Sequence, residues 1–170
     1  MEKEKRTRGI TDVFLMEKIL RELGARTWWE GHDLYLDCSH ADGTVIPEHF
    51  SGKMRSSVIL MGAMLGRNGK AQTGYPGGCV IGKRPVDLHI QVLQKLGARI
   101  VENGSEIQAA CGKLKGAEII FPKSSVGATE QGILAAVLAE GKTVLSGCAR
   151  EPEINWLCQY LTGMYVSGKP

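Results

Sequence analysis

A thiol on a glycine-rich bend is the group in this chain whose neighbours best suit it to chemistry. Tyr75-Pro76-Gly77-Gly78-Cys79-Val80-Ile81-Gly82-Lys83-Arg84 sets Cys79 among glycines and near two cations. Cations favour the thiolate and lower the thiol pKa, and small flanking residues keep the sulfur reachable. Three further groups suit anions. Arg84 precedes Pro85-Val86-Asp87-Leu88, a helix start whose free N–H groups and positive end attract phosphate. Lys123-Ser124-Ser125-Val126-Gly127 opens another helix with a cation, two hydroxyls and a glycine that lets a ligand approach. Arg55 stands at the start of a third. Each also has a plainer reading: Cys79 buried and inert in a turn, Arg84 paired with Asp87 or solvent, the serines as ordinary N-caps, Arg55 as a solvated charge.

The elements that must position these groups come in a repeat. Residues 11–26 read as a helix with Val13, Met16, Leu20 and Leu23 on its core face and Gly24 as its C-cap. Residues 84–99 copy that pattern 73 positions later, with Pro85 at the helix start, and both end Leu-Gly-Ala-Arg. A hairpin signature follows each, around Gly31 and around Asn103-Gly104, again 73 residues apart. Residues 54–67 read as one glycine-punctuated buried helix leading to a short strand, and 126–140 followed by 142–145 repeat it. A third helix opens at Arg150-Glu151-Pro152-Glu153, with Ile154, Leu157, Leu161 and Met164 on one face. The expected division is a charged leader (1–10), a first repeat with the cysteine loop (11–83), a second repeat (84–149) and a truncated third (150–170), all in one domain of α/β class.

Composition bounds the partners. The chain of 170 residues is 43% hydrophobic and 23% charged, ordinary for a folded single domain. A net charge of +3, from 21 Lys and Arg against 18 Asp and Glu, gives no nucleic-acid footprint. The five cysteines form an odd set without a C-x-x-C pair, and the four histidines lack helical ligand spacing. We therefore expect neither a disulfide framework nor a metal, and a reducing, cytoplasmic location. The longest apolar run, Val58 to Leu65, is far too short for a membrane span.

Taken together, Met54-Arg55-Ser56-Ser57, the run from Pro76 to His89, Leu114-Lys115-Gly116-Ala117, Ser125-Val126-Gly127-Ala128-Thr129 and Ala149-Arg150-Glu151-Pro152-Glu153-Ile154 resemble the UDP-N-acetylglucosamine 1-carboxyvinyltransferase family of enolpyruvyl transferases, which begins bacterial peptidoglycan synthesis. The resemblance runs from about residue 10 to residue 164. It implies an inside-out α/β barrel of βαβαββ repeats, of which about two and a quarter are present, facing a second barrel across the active site. It implies that Cys79 donates the proton to the methylene carbon of phosphoenolpyruvate and is the thiol that fosfomycin alkylates. Arg55 and Arg84 would face phosphate, Pro85, Val86, Asp87 and Leu88 would line the uracil, and Lys123, Ser124, Ser125, Val126 and Gly127 would hold the nucleotide. No cofactor is implied.

Departures shape the expectation. The family's amino-terminal Lys-Asn pair has no counterpart before Thr11, Ser124 stands where an apolar residue is usual, and the second barrel with its catalytic aspartate is absent. The leading expectation is thus an incomplete and inactive piece of the transferase. The alternatives are a non-catalytic UDP-sugar-binding module and, against the cysteine loop, a relative acting on shikimate 3-phosphate. Strand edges left open by missing repeats would favour self-association.

Overall fold

The computed structural model describes residues 11–76 and 86–166. Chain order is α1 (Thr11–Glu22), hairpin β1 (Arg26–Glu30) and β2 (Asp33–Asp37), β3 (Val45–Ile46), the short α2 (Glu48–Ser51), a 3₁₀ turn (Arg55–Ile59), α3 (Leu60–Asn68) and β4 (Lys70–Gly74). Beyond the undescribed stretch come α4 (Asp87–Lys95), hairpin β5 (Arg99–Asn103) and β6 (Glu106–Ala110), β7 (Glu118–Ile120), α5 (Val126–Ala136), β8 (Val144–Ser146) and α6 (Pro152–Val166).

Two pairs of glycines set the turns. Gly24 and Gly97, after α1 and α4, have φ of +96° and +95°, and Gly31 and Gly104, in the two hairpins, +62° and +60°. A side chain strains such left-handed backbone, so these positions stop the helices and reverse the strands.

Strand β4 is the centre of the main sheet, ordered β3-β4-β6-β5: β3 runs parallel to it, and β6 antiparallel, from Lys70 opposite Ala110 to Gly74 opposite Glu106. The other two sheets are β1-β2 and the parallel pair β7-β8. Helices α3, α4 and α5 pack against this framework, burying Met61, Leu65, Leu93, Leu96, Ile107 and Leu114 almost completely. Each such side chain contributes about 1.5–3 kcal/mol over leaving it exposed.

Several expected boundaries move. The single helix expected over 54–67 is broken into the 3₁₀ turn and α3. Met54 is extended (φ −137°), and the Ser57 hydroxyl donates to the Met54 carbonyl at 2.8 Å, which holds the first turn tight. The helix expected over 126–140 ends at Ala136, and α4 begins at Asp87, so Pro85 lies outside the described residues. On α1, Val13 is 42% exposed, whereas Ile19 and the charged Glu17 are buried. Of the expected stripe, Leu23 is buried and Met16 and Leu20 are half-buried, so Val13 alone departs from it; Phe14 and Glu17 extend the buried face toward Trp29 of β1. On α6, Ile154 is buried and Leu157 and Leu161 half-buried, as expected. No described helix is long and apolar enough to cross a membrane.

Candidate functional site

Two clefts flank the start of α4. The first, about 360 Å³, is lined by Asp12, Lys53, Met54, Arg55, Ser56, Ile59, His89 and Gly127. Its floor follows from the 3₁₀ turn, which carries Arg55 and Ser56 to the first turn of α5. Arg55 is half-buried there. Across from it, Gly127 lies so close to the His89 ring that a Cβ would sit 3.2 Å from Cε1 and 3.4 Å from Nε2. His89 is 4% exposed, and its Nδ1 is hydrogen-bonded to Oε1 of the fully buried Gln131. Burial depresses the His89 pKa; the Gln131 bond opposes this, Arg55 adds to it, and Asp87 opposes it.

The second cleft, about 910 Å³, lies on the other side of α4 and brings Val86, Asp87 and Leu88 together with Lys123, beside Tyr75, Gln91, Gln94 and Glu102. Val86 is the buried N-cap of α4 but supplies no side-chain cap, which leaves the first-turn N–H groups to other partners. The Tyr75 hydroxyl donates to the Glu102 carboxylate, a bond that foremost raises the tyrosine pKa. Cys79, Arg84 and Pro85 lie outside the described residues, on the segment between Tyr75 and Val86, and both of those residues line this cleft.

The start of α5 is rigidly tied. Ser125 is its N-cap, with Oγ accepting from the Ala128 N–H at 3.4 Å. The Ser125 carbonyl accepts from the Thr129 hydroxyl at 2.7 Å, and that hydroxyl accepts from the Ala149 N–H at 3.0 Å. The plain capping role of Ser125 is therefore present, whatever else it does. Ser124 points elsewhere: it lines a third, shallower cleft with Cys148, Arg150 and Glu151. Val126 and Gly127 occupy the first turn.

Of the expected site residues, Arg55 and Gly127 thus meet in one cleft, and Val86, Asp87, Leu88 and Lys123 in its neighbour. Sequence reasoning missed Lys53, Ser56 and His89 as companions of Arg55. The first two sit beside it in the chain, a signal that was readable; His89 needed the packing of α4 on α5.

The α/β framework of helices and hairpins is that of an enolpyruvyl transferase: the chain belongs to the family described as EPSP synthase (3-phosphoshikimate 1-carboxyvinyltransferase), whose pattern matches residues 8–167. Among solved structures it is similar to the enolpyruvyl transferase NikO from Streptomyces tendae, with a TM-score of 0.76 and 19% identity over 89% of this chain and 36% of that one. EPSP synthase from Acinetobacter baumannii gives a TM-score of 0.67 at 18% identity, over 85% and 34%. Within the family, the sequence is similar to UDP-N-acetylglucosamine 1-carboxyvinyltransferase of Wolbachia pipientis wMel, 46% identical over 163 residues. The protein of that name from Chlorobium limicola is 42% identical over 157 residues. The chain spans about 38% and 37% of the length of these relatives, which match 91% of it.

Proposed function

We propose that this chain is part of a transferase that moves the enolpyruvyl group of phosphoenolpyruvate to the 3-hydroxyl of UDP-N-acetylglucosamine, and that it supplies the nucleotide side of the cleft and the acid. The observation that carries the reading is the meeting of Val86, Asp87 and Leu88 with Lys123 in one cleft, at the described ends of the cysteine segment. Its architecture is an incomplete inside-out barrel, with repeats at 11–83 and 84–149 and the start of a third at 150–170; the matching glycine pairs support that division.

In the reaction, the sugar 3-hydroxyl gives its proton to the aspartate of the facing half as its oxygen bonds to the enol carbon, while the Cys79 thiol gives its proton to the methylene carbon, making it a methyl. A base in the site then takes a proton from that methyl, the C–H electron pair re-forms the double bond, and the carbon–oxygen bond to phosphate breaks, releasing phosphate with the electron pair of the broken bond. The acid must be a thiol poised between its two forms, which the cations Lys83 and Arg84 beside Cys79 favour. Arg55 and Arg84 offset charge on phosphate oxygens. Val86 to Leu88 receive the uracil, and Lys123 with the start of α5, from Ser125 to Gly127, receives the rest of the nucleotide. No cofactor takes part, and the working compartment is the cytoplasm.

Mixed with UDP-N-acetylglucosamine and phosphoenolpyruvate, the purified chain should release no phosphate, because the residues of the facing half are not in it; sustained release overturns that statement. Calorimetric titration with the UDP-sugar tests the nucleotide side. Heat of binding that weakens about tenfold in Lys123→Ala, the loss of one charge-assisted hydrogen bond, is the expected result. Binding indifferent to Lys123 and to Asp87→Ala removes the cleft from the nucleotide.

A further inference from the structure

The cleft beside Arg55 holds a buried imidazole whose role nothing above assigns. His89 is 4% exposed and Gln131 fully buried, and the Nδ1 to Oε1 bond between them fixes the ring. An amide oxygen only accepts, so Nδ1 carries the proton, and the neutral ring leaves a lone pair on Nε2. The Cε1–Nε2 edge is the one beside Gly127, at the cleft lined by Lys53 and Arg55.

A lone pair is ill-suited to an oxyanion. An anion drawn in by Lys53, Arg55 and the first turn of α5 would meet it repulsively, whereas a protonated Nε2 donates to it. We propose that binding of a phosphate-type oxyanion in this cleft is coupled to uptake of one proton by Nε2 of His89, making the histidine a donor to the ligand. The proton comes from solvent and adds to the lone pair, and no other bond in the chain is made or broken. The ring is prepared for both states: Gln131 Oε1 accepts from Nδ1–H in either. Burial and Arg55 keep it neutral when the cleft is empty and Asp87 of α4 favours the cation, while Lys53 and Asp12 of α1 are the other charged groups lining the cleft. The first turn of α5 brings no acidic residue. The anion tips that balance. This inference rests on the reading that Arg55 faces phosphate.

Titration of the chain with UDP-N-acetylglucosamine, and separately with sulfate, in two buffers of different ionisation enthalpy at about pH 7 measures the protons exchanged. Neither ligand titrates in that range, so any uptake belongs to the protein. We expect net uptake with both ligands, affinity that weakens by up to about tenfold per pH unit as the pH rises from the depressed pKa of the empty site toward the raised pKa of the occupied one, and neither effect in His89→Asn, which keeps a donor toward Gln131 but cannot ionise. Binding without uptake, or equal uptake in His89→Asn, overturns the proposal. Uptake with sulfate alone supports it while removing the sugar nucleotide from this cleft, and absence of any binding overturns both readings. Should His89→Asn not fold, nitrogen NMR of the unsubstituted chain decides: Nε2 must pass from unprotonated to protonated on saturation with sulfate.

Discussion

Glu17 shows what a single buried charge can hold together. It accepts from the Thr27 hydroxyl at 2.6 Å, the Trp29 indole at 3.1 Å and Arg21 at 2.8 Å, joining α1 to β1. The bonds from Thr27 and then Trp29, with Arg21 behind them, hold its carboxyl below the usual range against the opposing effect of burial. Glu17→Ala leaves the Trp29 and Thr27 donors without their acceptor, so the urea midpoint should fall by an amount equivalent to about 1–3 kcal/mol; an unchanged midpoint refutes the joint. His89 sets the behaviour at milder pH. Its folded pKa lies below the unfolded value of about 6.5, so the unfolded chain binds the extra proton first. The stability that His89 contributes is complete above that value and is lost as the pH falls through the depressed folded pKa. Glu17, also depressed, adds loss in a lower window, below about pH 4.3. Urea midpoints measured from about pH 7 to about pH 5 should therefore decline in the unsubstituted chain and flatten in His89→Asn; parallel profiles contradict the assignment.

Helices α3, α4 and α5 approach one another through glycines. A Cβ on Gly62 of α3 would lie 2.6 Å from the Gln131 carbonyl oxygen of α5, and one on Gly132 of α5 would lie 3.2 Å from Val92 of α4. Alanine at position 62 would gain about 1 kcal/mol in helix propensity. It must also push two packed helices apart, and strain of about 1–3 kcal/mol outweighs that gain. Gly62→Ala should therefore melt at a lower temperature, and because the 3₁₀ turn that runs into α3 and the first turn of α5 line the Arg55 cleft, anion affinity should fall with it; a higher melting temperature shows that the helices can separate freely. What the sequence disclosed at this scale was local. Gly24, Gly31, Gly97 and Gly104 announced helix stops and hairpins because positive φ is a property of one residue and its immediate neighbours. The break at Arg55–Ile59 was hidden, since it depends on one serine hydroxyl turning back to Met54 rather than on apolar spacing. The inward turn of Glu17 depended on Thr27 and Trp29, and the fixing of His89 on a glutamine 42 residues away. Such pairings belong to tertiary structure, which periodicity does not encode. For the candidate site, motif residues were legible as types, and their sorting into two clefts was not.

At the scale of the molecule, the strand pairings leave complementary edges. Hairpin β5–β6 completes the main sheet by laying β6 along β4. Under the repeat division proposed above, β8 stands where β4 stands and β2 where β6 stands, yet among the described residues β8 pairs only with β7 and β2 only with β1. Unpaired edge N–H and C=O groups are templates for another strand. The neighbouring surface is apolar: Leu36 on β2 is 48% exposed, Val144 on β8 38% and Ile120 on β7 70%. An edge of the β8 kind on one copy and of the β2 kind on the next are different surfaces, so their pairing is head-to-tail and extends until a ring closes or a filament grows. The weight-average mass in sedimentation should therefore rise with concentration beyond a dimer. Leu36→Lys and Val144→Lys, which place charge at each edge, should suppress that rise singly, and combining them should add little, because either one blocks the same contact. A monomer at every concentration, or lysine variants that associate as the unsubstituted chain does, would show that these edges are protected by something other than a second copy.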